Sequence, residues 1–158
     1  MPAVLSRWTM PILRISMGVF LVTWGVDKLI ATEGAEGIFS NFYGVDAGAL
    51  LVQVAGVLEI GLGVALAVGL FRVGMAWIAL IVNAVSTFAS WRQILDPWGV
   101  LGIGPGGSHL FLASIVIMAA NVVLVLNAAD ETATLDARLR RGSADRGEAA
   151  RARQAELR

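Results

Sequence analysis

Glu59 is the side chain in this sequence best placed to do chemistry. It sits ten positions into an apolar run, Ala49 to Phe71, and is the only charged residue in that run. A helix rises about 1.5 Å per residue, so the carboxyl lies about 15 Å along such a run. In hydrocarbon a charged side chain at mid-depth costs about 2.5–3.5 kcal/mol on insertion scales. Asn83 and Asn121 fall at a similar depth in two other apolar runs. Glu59 is therefore expected either to stay protonated and bond to these amides, or to pair with a cation reaching in from Arg14 or Lys28. Two roles follow: a polar clasp between helices, or a catalytic candidate that accepts protons beside a cavity for a quinone or lipid.

The first apolar run adds a second pattern. Arg14, Gly18, Leu21, Gly25 and Lys28 recur at steps of three and four and so share one helical face. The long stems of Arg14 and Lys28 are expected to snorkel to opposite surfaces. The two glycines make a groove for close helix packing. Asp27 and Lys28 point about 100° apart and cannot pair with each other. A polar cluster of Asp27, Lys28, Arg92, Gln93, His109 and Asp96 is expected at the outer end, as interfacial network or as the mouth of a site for a headgroup or anionic ligand. A stripe of Asn83, Ser86, Ser90 and Gln93, flanked by Thr87, should face the interior, as should Ser114, Met118 and Asn121. The ligand-binding candidates are thus Arg14, Lys28, Glu59, Asn83, Asn121, Arg92 and His109.

These residues need elements to hold them, and composition names the elements. Of 158 residues, 57% are hydrophobic and only 15% charged, and the mean hydropathy is +0.74. A typical soluble domain is about a quarter charged. The charges crowd into the tail after Ala129, and the first 129 residues hold too few to coat a globule. Four apolar runs predict spans over about 12–30, 49–71, 73–95 and 109–129. About 20 helical residues cross a ~30 Å core. The alternation of a membrane β-barrel is absent. The fold class is all-α: a four-transmembrane-helix bundle over 1–129, with a charged tail over 130–158, helical or disordered. No small-x-small site closes the first run before Asp27-Lys28, which predicts a span and not a cleaved leader.

Basic residues set the expected orientation. Arg7, Arg14, Arg72 and the tail arginines flank one side, while the 31–48 loop carries Glu33, Glu36 and Asp46 with no basic residue. Both termini are expected to be cytoplasmic, and the address the cell (cytoplasmic) membrane. Ile38-Phe39 and Phe42-Tyr43 predict a short interfacial helix in the first outer loop. Asp96-Pro97-Trp98 with Gly102, Gly104, Pro105, Gly106 and Gly107 predicts a turn-rich second loop anchored by Trp98. In the tail, seven arginines alternate with six acidic residues. That reads as a solvated segment, or as a basic contact with anionic headgroups that the acids weaken.

Composition also excludes classes. There is no cysteine, hence no disulfide, thiol chemistry or cysteine-held cluster. A single histidine excludes a multi-histidine metal site or bis-histidine haem within one chain, so no metal site is expected. The net charge of zero gives no pull toward nucleic acid. No dinucleotide fingerprint, phosphate loop or nucleophile elbow is present.

Arg14-x3-Gly18 with Gly25-x2-Lys28, Glu59-x3-Gly63 followed by Gly69 and Arg72, and Asp96-Pro97-Trp98 leading to His109 together resemble the DoxX family, over about residues 10–129. The resemblance implies a four-helix membrane bundle. Its members include the small subunit of a thiosulfate:quinone oxidoreductase, components of redox or oxidative-stress systems, and distant membrane chaperones or cargo receptors. Arg14, Lys28 and Glu59 match its polar pattern, and no established catalytic residue comes with them. The expected function is a non-catalytic membrane subunit or scaffold of a redox-related complex. The alternative is a quinone- or lipid-binding oxidoreductase subunit with Glu59 proton-active and a quinone as cofactor. Expected partners are the bilayer, a redox protein and a second copy of the chain. A transporter or channel fits least, since no ring of charges lines a pore.

Overall fold

The computed structural model describes residues 3–103 and 108–156. Gly104, Pro105 and the Gly106–Gly107 pair of the second loop lie outside the described residues, as does Arg158. Helices run in the order α1 (Ala3–Ile30), α2 (Thr32–Ile38), α3 (Ala49–Val68), α4 (Arg72–Ala89), α5 (Trp91–Leu95), α6 (Ala113–Asn127) and α7 (Leu135–Glu156). A π turn, Phe39–Tyr43, continues α2, and a 3₁₀ turn, His109–Leu112, leads into α6. Among the described residues there is no strand.

Four of these helical stretches are long and apolar enough to cross a membrane: Trp8–Ile30, Ala49–Val68, Arg72–Ala89 and His109–Asn127. Their outward faces are apolar, which water would penalise and lipid does not. Leu58, in the middle of α3, is 68% exposed, and Phe88 on α4 is 73% exposed.

The tightest pairing is α1 against α3. A Cβ built on Gly18 would lie 2.6 Å from the Gly63 carbonyl oxygen, and one on Gly25 would lie 2.6 Å from that of Gly56. The reverse views from Gly63 and Gly56 are equally crowded. Gly18 faces Gly63 and Gly25 faces Gly56, seven residues apart on each antiparallel helix. Lipid supplies no hydrophobic drive between helices, so close backbone approach is what holds such a pair. On the other side, α4 packs on α6. Met17, Leu21, Leu66, Ala79 and Leu124 join the two pairs in one core.

The connections depart from the predicted runs at chemically legible places. The second run ends at Val68 because Gly69 turns left-handed (φ 74°), with Leu70 N–H donating to the Ala65 carbonyl at 2.9 Å. The third run, predicted as one span over 73–95, divides at Ser90 into α4 and α5. There the Ser90 hydroxyl donates to the Ser86 carbonyl at 3.0 Å and Thr87 donates to that of Asn83 at 2.8 Å. Such back-bonding competes with the helix ladder. The first loop folds onto the bundle end: Phe42 meets the Phe111 ring at 5.4 Å, and the Tyr43 and Ser86 hydroxyls lie 2.9 Å apart.

Candidate functional site

Glu59 pairs with Lys28. The Lys28 ammonium donates to Glu59 Oε2 at 2.6 Å, and both side chains are mostly buried, 16% and 13% exposed. Of the two arrangements open to Glu59, the structure has the ion pair, and it is Lys28 rather than Arg14 that supplies the cation. Helical side chains lean toward their own N-terminus. Lys28 is near the C-terminal end of α1, so its stem leans back down the bundle toward Glu59 instead of snorkelling outward. Its Nζ also reaches the Trp24 carbonyl at 3.4 Å and lies 5.8 Å from the Trp24 ring centre.

Arg14 lies at the far end of the same stripe, and its residue is only 4% exposed. Its Nε donates to Glu131 Oε1 at 3.0 Å. Nη1 donates to the Leu66 carbonyl at 2.9 Å and also to that of Ala67, and Nη2 to that of Ala133 at 3.0 Å. These acceptors belong to the end of α3 and to the segment after α6. Snorkelling is again not what happens: a guanidinium with five donors in a fixed fork is satisfied inside.

A second arginine extends this centre. Arg72 Nε donates to the Ala128 carbonyl at 2.6 Å and Nη2 to that of Ala129 at 2.8 Å. These carbonyls lie at the C-cap of α6 and one residue beyond it, a helix end that a cation suits. Asp136 accepts from the backbone N–H of Phe71 at 3.0 Å and of Arg72 at 2.9 Å. A carboxylate from the tail thus caps α4, whose own N-cap position, Phe71, has a positive φ of 47° and no side-chain cap. Thr134, almost fully buried, accepts from Ala137 N–H at 3.2 Å and starts α7. Sequence reasoning missed Glu131 and Asp136. The signal available was a Thr at an N-cap position with two acids nearby, opposite unpaired arginines.

The remaining candidates are dispersed. Asn83 donates to the Ala79 carbonyl at 3.0 Å and Asn121 to that of Ile117 at 2.8 Å, each within its own helix and neither to Glu59. Asn121 Oδ1 is buried and has no donor, and neither has Gln93 Oε1. The Arg92 guanidinium stacks on Trp91 at 5.4 Å, and both side chains are exposed. His109 is exposed at the start of the 3₁₀ turn. Among the described residues, no side-chain hydrogen bond or ion pair joins Asp27, Arg92, Gln93 and His109 into one cluster. Asp96 organises the second loop instead, accepting from Ile103 N–H at 3.2 Å. Burial disfavours its charge, but amide donation from Leu101, Ile103, Val100 and Gly102 outweighs this and holds the carboxyl below its ordinary range.

No group of three or more metal-ligating side chains converges among the described residues. An open groove of about 420 Å³ lies on the outer surface of α1 and α3, lined by Leu29, Gln53, Val54, Val57 and Leu58. The arrangement can therefore do two things: lock four spans through buried ion pairs, and fix the tail to their common end.

An all-helical chain with four membrane-length apolar helices, closed by charges that pair inside the bundle, is a multi-pass integral membrane protein. The chain belongs to the DoxX family, whose model matches residues 9–91. That stretch holds Arg14, Lys28, Glu59 and Arg72, and it ends at Trp91, short of α6 and the tail. No curated protein and no solved structure matches the chain.

Proposed function

We propose that this protein is a non-catalytic membrane subunit or scaffold of a redox or oxidative-stress-related complex, set in the cytoplasmic membrane with both termini on the cytoplasmic side. One observation supports this reading above others. The buried charges of the matched region, Arg14, Lys28 and Glu59, are spent on holding parts of the chain together. The same chemistry builds a platform at one end of the bundle from the α3–α4 turn and the segment leading into α7. A partner is expected to dock there. The redox character of that partner comes from the family resemblance.

The test is recovery of the tagged protein in native nanodiscs. A stoichiometric protein partner, lost when Asp136→Ala loosens the platform, is the expected result. Recovery of the chain alone, or of a second copy alone, contradicts the scaffold.

A second reading has one observation in its favour. The open groove runs beside the α1–α3 seam with Leu29 and Leu58 in its wall, so an apolar ligand there would lie against the two helices that carry Lys28 and Glu59. In that reading the protein is a quinone- or lipid-binding oxidoreductase subunit and Glu59 is proton-active. Glu59→Gln separates the two. Loss of bound quinone with an intact bundle favours the second; loss of stability with no change in extractable ligand favours the first.

A further inference from the structure

The tail is nearly neutral by sequence, but the structure divides its charges unequally. Glu131 is buried against Arg14, and Asp136 is occupied with the α4 amides and lies 4.0 Å from Arg72. These two carboxylates are committed to the bundle. The sequence from Ala137 onward carries seven arginines against Asp145, Glu148 and Glu156, a net side-chain charge of +4. The acids that argue against a basic tail are partly removed from it by folding.

Position reinforces charge. Asp136 caps α4, a membrane span, at its first residues, so α7 starts at the level where that span leaves the apolar layer. Leu135 and Leu139 lie four apart in the first turns of α7 and are 37% and 56% exposed. Phe71, in the adjoining turn, is exposed beside them. Arg138, Arg141 and Arg146 are all exposed on the same helix. Helical spacing puts Leu135, Leu139 and Arg146 on one face. Arg138 and Arg141 lie off that face, so α7 has no single apolar side; what it offers a membrane surface is two leucines at its root and positive charge along its length.

We propose that α7 lies along the membrane surface on its own side of the bilayer and binds the headgroups of anionic lipids there. The inference rests on charge and position and is independent of the scaffold reading. Juxtamembrane arginines are drawn to a leaflet of negative surface potential, and the attraction dies within a Debye length. The first turns are held by Asp136 whatever the lipid; the rest of the helix follows the surface charge.

The absence of native cysteine makes the test clean, since Ala144→Cys gives one thiol for a fluorophore on the full chain. The labelled protein is placed in nanodiscs of phosphatidylcholine alone or mixed with phosphatidylglycerol, with a quencher on the lipid headgroup. Quenching is expected in the anionic discs, lost in about 1 M salt, where the Debye length is about 3 Å. It is also expected to be lost in a variant with Arg138, Arg141 and Arg146 all changed to Gln. Circular dichroism checks that this variant keeps its helix content. Equal quenching in both lipids, quenching indifferent to salt, or quenching that survives the triple variant would each overturn the proposal. So would absence of quenching in anionic discs accompanied by capture of an acidic protein on α7.

Discussion

The side chains most suggestive of chemistry turn out to be bonded to other parts of the same chain, and their geometry explains why. Arg14 has an acid and three carbonyls within reach, and it is fully enclosed. Truncating one member of a buried pair strands the other, at a cost of about 3–5 kcal/mol. Arg14→Gln should therefore destabilise the bundle by that order in detergent unfolding. It should also free the tail to proteolysis, because Glu131 and the Ala133 carbonyl lose their donor. Asn121 predicts the opposite sign. Its amide nitrogen bonds within α6, but its oxygen is buried without a donor. Replacing such a group by an apolar one of similar shape is close to neutral or stabilising. Asn121→Leu should leave thermal stability unchanged or raised, and a marked loss would mean that the oxygen has a partner in the membrane. At this scale the sequence was informative about residue identity and poor about direction. The Arg14-to-Lys28 stripe was readable from its spacing. Lys28 was also readable as one of two cations that could reach Glu59, but the choice of Lys28 over Arg14 or the amides was not, because spacing does not show which facing residues the folded helices bring together.

Helices are the scale at which the sequence spoke most plainly. Four apolar runs of membrane length became four spans because lipid admits only helices or a closed barrel, and the runs lack the alternation that a barrel needs. The ends were less legible. The break at Ser90 depends on hydroxyls choosing carbonyls of their own helix, a local competition that hydropathy does not register. The α1–α3 contact gives a sharp test. Gly25→Leu should separate the pair, since even a Cβ there meets backbone at 2.6 Å, whereas Gly61→Ala points into open space and should be silent. Overpacking of this kind costs about 1–3 kcal/mol or more, measurable as a lowered melting temperature in nanodiscs. The second loop carries a pH prediction. The Asp96 carboxyl is held below its ordinary value of 3.8, so its stabilising effect is complete above that value and lost as pH falls through the lower folded one. Amide exchange of Val100 to Ile103 should quicken on acidification below that range in the native protein. In Asp96→Asn it should be fast at all pH values.

For the molecule as a whole, the tail was the element least readable in advance. Its role depends on contacts between residues more than sixty positions apart, such as Asp136 with Phe71 and Arg72. No local pattern encodes such a contact; only the folded bundle brings the partners together. The resulting object is a bundle pinned at both ends of one helix face, by Lys28 to Glu59 at one end and Arg14 to Glu131 at the other. A scaffold needs that rigidity, and a proton carrier needs Glu59 free to exchange. The two uses make different demands on the same pair. The most direct measurement is a double-mutant cycle on Lys28→Met and Glu59→Gln, read as unfolding free energy in nanodiscs. The account predicts that each single change is destabilising and that the double variant loses less than the two together, by a coupling of about 1–3 kcal/mol. Additive effects, with no coupling between the two positions, would contradict it.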